Sequence, residues 1–176
     1  MLTRITLAQE RSALDWLGGL WGINYGHAEV APGTAAGAVR ETDCSELSER
    51  LFNDHLGVPL PDGSMAQLDY CRRHGQKLHW PEDALRTFDL LFLVPPLADP
   101  TADPSGAPIY KPGGMGHVAI VAGVLTPSAA GGVMLIEARG KPWGKVIYSP
   151  LRRVVRQFEA RFAGIWRLVE CETGPV

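Results

Sequence analysis

"HVAIVAGVL" (residues 117–125) is rich in Val, Ile and Leu without helical spacing, which marks a buried strand. Four more segments share its character: "DLLFLV" (89–94) before it, and "VMLIEA" (133–138), "KVIYS" (145–149) and "GIWRLV" (164–169) after it. The turns "TPSAAGG" and "RGKPWG" join three of these strands in succession, so a meander is expected. Upstream the period changes. Leu7, Leu14, Leu17 and Trp21 recur at helical spacing over residues 7–21. A second helix is expected from Cys44 to His55, with Leu47 and Leu51 on its inward stripe, Leu56 extending it and Gly57 ending it. A third follows the turn Pro61-Asp62-Gly63 and stops at Gly75. Asp43 with Glu46, and Ser64 with Gln67, have capping-box spacing. Helices first and strands after predict an α+β fold: N-terminal helices packed on a five-stranded, mainly antiparallel sheet, in one domain over residues 1–176.

Two stretches fall outside this pattern. Residues 22–41 are Gly- and Ala-rich with no period, so they predict a loop. Residues 95–116 hold six prolines between two strands, and a loop of that length is either a surface excursion or a lid over a substrate.

The formal net charge of −2 gives no reason to expect a nucleic-acid partner. It is unevenly spread. Residues 1–138 hold 9 Lys and Arg against 16 Asp and Glu, whereas residues 139–176 hold 8 against 3. The basic last third is a solvated face or a surface for an anionic polymer. Three cysteines, Cys44, Cys71 and Cys171, are too few and too widely spaced for a disulfide framework or a zinc site. Glu10, Arg11 and Asp15 interrupt any signal-peptide core, and no apolar run is long enough to span a membrane. Synthesis in the cytoplasm is therefore expected, with a separate delivery route for any action outside it.

Cys44 carries the chemistry. It opens a helix directly behind an acidic cap, where unsatisfied N–H groups and the helix dipole favour a thiolate. A thiolate attacks carbonyl carbon; a small residue packed under a loop is the alternative for such a cysteine. Of the five histidines, His55 and His74 fall at helix ends and His27 and His79 in loops. His117 opens the most apolar strand behind "GGMG", where a partner can approach, or else faces water at a sheet edge. Glu137 interrupts an apolar strand. A hairpin centred near residue 128 sets Ala119 opposite Glu137, so His117, Ala119 and Glu137 share a face and His117 and Glu137 meet diagonally. A slip of one residue would turn Glu137 away.

These residues resemble a family. "DCSELSERLF", "LPDGSMAQ", "FDLLFL", "GHVAIVAG" and "IEA" follow the order and approximate spacing of the NlpC-type cell-wall cysteine peptidases, which are papain-like hydrolases. The likeness covers roughly residues 7–150. The resemblance makes Cys44 the nucleophile, His117 the base and Glu137 the third polar residue, a position the family commonly fills with His. Tyr25 matches the family's upstream tyrosine, which serves the oxyanion or the substrate, and Asp43 and Ser45 flank the nucleophile in the same motif. Glu46, Phe88 and Ala119 stand where the family has glycine.

The activity implied is hydrolysis of an amide bond in a peptidoglycan stem peptide, such as the bond between D-glutamate and a diamino acid, through a thioester and with no metal or organic cofactor. The partners implied are the wall peptide and, for a phage lysin or injected effector, an immunity protein or a phage or secretion assembly. Two alternatives remain open on the residues alone: a relative using the same groups as an amidase, deamidase or acyltransferase, and a non-catalytic phage-tail or wall-binding module.

Overall fold

The structure, a computed structural model, describes residues 1–27, 30–95, 116–124 and 132–172. Residues 96–115 of the proline-rich loop and the turn at 125–131 therefore lie outside the described residues. The elements run β1 (Thr3–Ile5), α1 (Leu7–Gly19), β2 (Asn24–Tyr25), β3 (Glu41–Thr42), α2 (Cys44–Arg50), α3 (Ser64–His74), β4 (Gln76–Leu78), β5 (Leu90–Leu93), β6 (His117–Val124), β7 (Val133–Arg139), β8 (Lys145–Pro150), α4 (Leu151–Gln157), β9 (Phe162–Arg167) and β10 (Val169–Cys171). Eight strands form one sheet in the order β3-β2-β8-β7-β6-β5-β9-β4, and β1 pairs with β10 apart from it. The five expected strands are its contiguous centre. The short strands β2, β3 and β4 were too brief to leave a period in the sequence. Among the described residues, β2 and β3 run parallel in this sheet and its other pairings are antiparallel.

Alternation along the strands sorts the core into two layers. Phe92, Val118, Ile120, Ile136, Ala138 and Val146 face the helices, meeting Leu17, Leu47, Leu51 and Leu68. Leu91, Leu93, Ala119, Val121, Leu135 and Ile165 face the other way, onto Leu151 and Val154 of α4. Leu47, Leu51 and Leu56 are fully buried, each contributing roughly 1.5–3 kcal/mol. The helix α4 has no counterpart in the sequence expectations. Its seven residues, "LRRVVRQ", bury only Leu151 and Val154, too few to stand out as a stripe.

Four local expectations are corrected. The α1 stripe is Ala13, Trp16, Leu17 and Leu20, while Leu7, Leu14 and Trp21 are exposed. The helix starting at Cys44 is α-helical only to Arg50; Leu51–Leu56 is a π-helical turn, closed by Gly57 at φ 68°. Neither expected capping box forms. Asp43 does cap α2, but the Glu46 carboxylate accepts from the Val30 N–H instead of returning to the cap. Ser64 lies inside α3, whose cap Gly63 offers no side chain, and Gln67 is buried in other bonds. A capping box does form at α1, where Thr6 and Gln9 bond reciprocally.

The hairpin register matters most for the site. Ile120 pairs with Ile136 and Val121 with Leu135, which one residue further on sets Ala119 opposite Glu137, as the sequence suggests. The register shifts only between Val121 and Gly123, away from His117. The bulge therefore leaves the face shared by His117 and Glu137 intact.

Candidate active site

Asp43 builds the start of α2. Its Oδ1 accepts from the Ser45 N–H at 2.8 Å, the Glu46 N–H at 2.9 Å and the Ser45 hydroxyl at 2.8 Å. Its Oδ2 lies 3.0 Å from Nδ1 of His27. Burial works to raise the Asp43 pKa, but these bonds outweigh it and hold the carboxyl below its ordinary range. The cap is thus an anion at neutral pH, locked against the turn that carries Cys44.

A second lock comes from α3. Gln67 is fully buried; its amide N–H donates to the Ser45 carbonyl at 2.8 Å, and its Oε1 accepts from the Ser48 hydroxyl at 2.7 Å. Ser48 Oγ lies 3.1 Å from the Cys44 carbonyl and 2.9 Å from that of Ser45. The same helix α3 begins against the backbone leading into His117: a Cβ on Gly116 would come within 2.7 Å of Ser64 Oγ and 3.0 Å of Met65 Sδ. One helix therefore holds both the thiol's turn and the approach to the imidazole.

The helix layer supplies Cys44, 7% exposed, and the strands supply its partners. Cys44 lies beside His117, near enough for its side chain to raise the imidazole pKa. His117 Nε2 lies 2.7 Å from Glu137 Oε2, with the His117 side chain 16% exposed and the Glu137 side chain fully buried. With Nε2 taken by Glu137, Nδ1 is the nitrogen left for Cys44. Burial opposes charge on His117, but the hydrogen bonds to Cys44 and Glu137, and the charges of both, push its pKa up to about 9. Burial likewise opposes charge on Glu137, and His117, Ser149 and Arg139 outweigh it, leaving the carboxyl below its ordinary range. The arrangement is a thiol, an imidazole and a carboxylate in line, with the imidazole held as its cation.

Tyr25 stands beside this line. Its strand β2 pairs with β3 so that Tyr25 lies opposite Thr42, two residues before Cys44. Burial and then the charges of Cys44 and Asp43 raise its pKa, so the hydroxyl is neutral and a donor at neutral pH. Its ring meets His27 edge-on at 5.6 Å. The sequence brings Cys44, His117, Glu137, Tyr25, Asp43 and Ser45 together in this way. It does not single out His27, Ser48, Gln67, Arg139 or Ser149. Arg139 was findable, since it lies two residues beyond Glu137 on the same strand face; Gln67 was hidden by its capping-box spacing. Among the described residues, no group of three or more His, Cys, Asp or Glu could hold a metal ion, and no helix is long and apolar enough to cross a membrane.

Solved structures share this architecture. A Staphylococcus aureus protein described as similar to a lipoprotein of the NLP/P60 family aligns over 96% of this chain at 20% identity, with a TM-score of 0.56. NlpC2 of Trichomonas vaginalis aligns over 92% at 18% identity and a TM-score of 0.56. The P60 domain of a Mycobacterium avium paratuberculosis antigen aligns over 92% at 22% identity and a TM-score of 0.51. The chain has an NlpC/P60-type fold. It spans 44% and 47% of the first two proteins' length and 96% of the P60 domain. No family model and no curated protein matches the sequence. Within the NlpC/P60-type fold, Phe88 stands where the sequence resemblance expects glycine. It keeps a glycine-like φ of 72° while being fully buried.

Proposed function

We propose that this NlpC/P60-type domain is a cysteine peptidase that cleaves an amide bond in peptidoglycan stem peptides, with D-glutamyl–diamino acid as the expected bond. The observation that carries the proposal is the line from Cys44 through His117 to Glu137. A thiol beside an imidazole whose far nitrogen is held by a buried carboxylate is the arrangement that nucleophilic acyl transfer requires.

In the proposed reaction, the Cys44 thiolate adds to the amide carbonyl carbon, and the carbonyl π electrons move to oxygen. Asp43 occupies the N–H groups of Ser45 and Glu46, so the Cys44 N–H and the Tyr25 hydroxyl are the donors assigned to that oxyanion. As the C–N bond breaks, the His117 imidazolium gives its proton to the leaving amine. Neutral His117 then takes a proton from water, whose oxygen adds to the thioester. The C–S bond breaks, the carboxylic acid leaves, and the thiolate–imidazolium pair is restored. Glu137 stays ionised throughout, orienting the ring and stabilising its cation.

The substrate assignment is supported by the fold and by the sequence motifs around Cys44 and His117. The test is mass spectrometry of purified muropeptides after incubation with the protein. New stem-peptide fragments that vanish with both Cys44→Ala and His117→Ala support the peptidase. Intact muropeptides in the presence of a reactive Cys44 would reject this substrate class.

A further inference from the structure

A fully buried glutamate is a costly third member for such a line, because it adds a negative charge where a neutral side chain would add none. Its Oε2 is matched by His117. Its Oε1 is buried and makes no hydrogen bond in the described structure, yet Arg139 Nε lies 3.7 Å away. Arg139 is itself only 12% exposed. It is fixed by more than Glu137: Nη2 lies 3.4 Å from Gln157 Oε1, and the guanidinium sits 5.1 Å from the centre of the Phe158 ring. Glu137 and Arg139 project from the same face of β7 two residues apart, so the strand sets their separation.

We infer that Arg139 is a positioning residue that supplies the positive charge allowing a buried carboxylate to stand behind His117. In the reactive state proposed above the charges along the line then alternate: thiolate at Cys44, imidazolium at His117, carboxylate at Glu137, guanidinium at Arg139. The line is neutral as a whole, and its two inner charges, at His117 and Glu137, each lie between opposite charges, while the Asp43 anion stands beside Cys44 at the outer end. Ser149 on β8 completes the surroundings of Glu137 as a neutral hydroxyl. Without Arg139, Glu137 is left with one cation, and taking up a proton becomes its cheapest response. A protonated Glu137 no longer stabilises the imidazolium. Arg139 would therefore act on the thiol's reactivity through two intermediates without touching substrate.

This inference rests on the peptidase reading for its consequence in turnover, but its test needs no substrate. The His117 ring is followed by ¹⁵N NMR against pH in the wild-type protein, Arg139→Met, Arg139→Lys, Glu137→Gln and the double variant. Thermal unfolding of each confirms that it is folded, and Cys44 alkylation by iodoacetamide is measured alongside. The wild-type midpoint is expected at about 9. Arg139→Met should lower it by roughly a unit and slow alkylation at neutral pH about tenfold, as one pKa unit implies. Arg139→Lys should restore most of both. In the Glu137→Gln background, Arg139→Met should lower the midpoint no further.

A midpoint that stays or rises in Arg139→Met overturns the inference, since losing a cation beside a still-ionised Glu137 raises the His117 pKa. An equal loss in both backgrounds overturns it too, because it assigns Arg139 a packing role under α4. Should Arg139→Met not fold, the Arg139→Lys and double variants decide alone: a double variant matching Glu137→Gln supports the inference, and one with a lower midpoint rejects it. If the NMR results hold and no muropeptide is cut, the peptidase reading fails and the charge line stands.

Discussion

His117 Nε2 and Glu137 Oε2 are 2.7 Å apart across two antiparallel strands, 20 residues apart in sequence, with the carboxylate fully buried. That distance fixes which imidazole nitrogen is free and gives Glu137 a role that glutamine can fill only in part. Glu137→Gln keeps the shape and a hydrogen-bonding oxygen but loses the charge. Turnover is expected to fall about ten- to a hundredfold, the rate equivalent of the ~1.5–3 kcal/mol carried by a hydrogen bond to a charged group. Cys44→Ala and His117→Ala should leave only background hydrolysis. Steady-state kinetics of the three variants on one muropeptide ranks them, and a Glu137→Gln enzyme with wild-type kcat would remove Glu137 from the mechanism.

The raised pKa of His117 predicts the alkaline edge of activity. A histidine pushed up to about 9 keeps its proton through neutral pH and loses it as pH rises through that value. In the proposed reaction the leaving amine then has no acid, so kcat should fall on that limb with an apparent midpoint near 9. Stability follows the same sign. The His117 contribution is complete below the ordinary histidine pKa of roughly 6.5 and is lost as pH rises through the folded value. Glu137 has the opposite sign: its lowered pKa gives stability that is present above the ordinary carboxylate range and lost on acidification. A pH–rate profile that breaks near 6.5 on its alkaline side would show that His117 does not retain the proton.

Thiol chemistry separates the three cysteines without any substrate. Cys71 is fully buried, and burial pushes its thiol up to about 12. Burial first, then Glu10, raise Cys171 as well. Cys44 alone of the three has an imidazole partner. Iodoacetamide at neutral pH, followed by peptide mapping, should modify Cys44 at least about tenfold faster than the other two. Equal labelling would count against a thiolate at the helix start.

The order of helices and strands, and the pairing of His117 with Glu137, were legible because both depend on periodicity. Strand alternation and a hairpin centre fix which residues share a face, and the bulge at Val121/Gly123 fell on the harmless side. What the sequence hid were interactions between elements. Gln67 and Ser64 have the spacing of a local cap, yet Gln67 spends its amide on another helix. Glu46 has the same spacing after Asp43 and bonds the Val30 N–H instead. Spacing of three on a helix admits either use, and only the approach of another segment decides. His27 stood in a segment with no period at all, so nothing marked its contact with Asp43.

Gln67 should matter to the rate although it is buried behind α2. Gln67→Leu removes its donor to the Ser45 carbonyl and its acceptor for Ser48, costing roughly 1–3 kcal/mol of stability. The turn carrying Cys44 would then lose its hydrogen bonds to α3 and keep those of Asp43 and Ser48. The expected kinetic signature is a several-fold drop in kcat with KM little changed, as a loosened nucleophile misaligns attack more than binding. An unchanged kcat in a destabilised Gln67→Leu protein would confine Gln67 to packing.

Phe88 puts a large side chain on a backbone that suits glycine. Its φ of 72° costs an L-residue about 1–2 kcal/mol, and its complete burial repays more than that. The backbone there is held on both sides: the Phe88 N–H donates to the Val121 carbonyl at 2.8 Å, and the next residue, Asp89, is clamped by Arg167 through bonds of 2.8 and 2.7 Å. Removing the ring should therefore destabilise the protein, by about 3–5 kcal/mol for Phe88→Ala. Alanine keeps the Cβ that this backbone resists, whereas glycine does not. Phe88→Gly is thus expected to be more stable than Phe88→Ala by about 1 kcal/mol, the reverse of their usual order in regular structure. Urea unfolding of the two variants measures the difference directly, and an alanine variant at least as stable as the glycine one would mean that the positive φ carries no strain at this position.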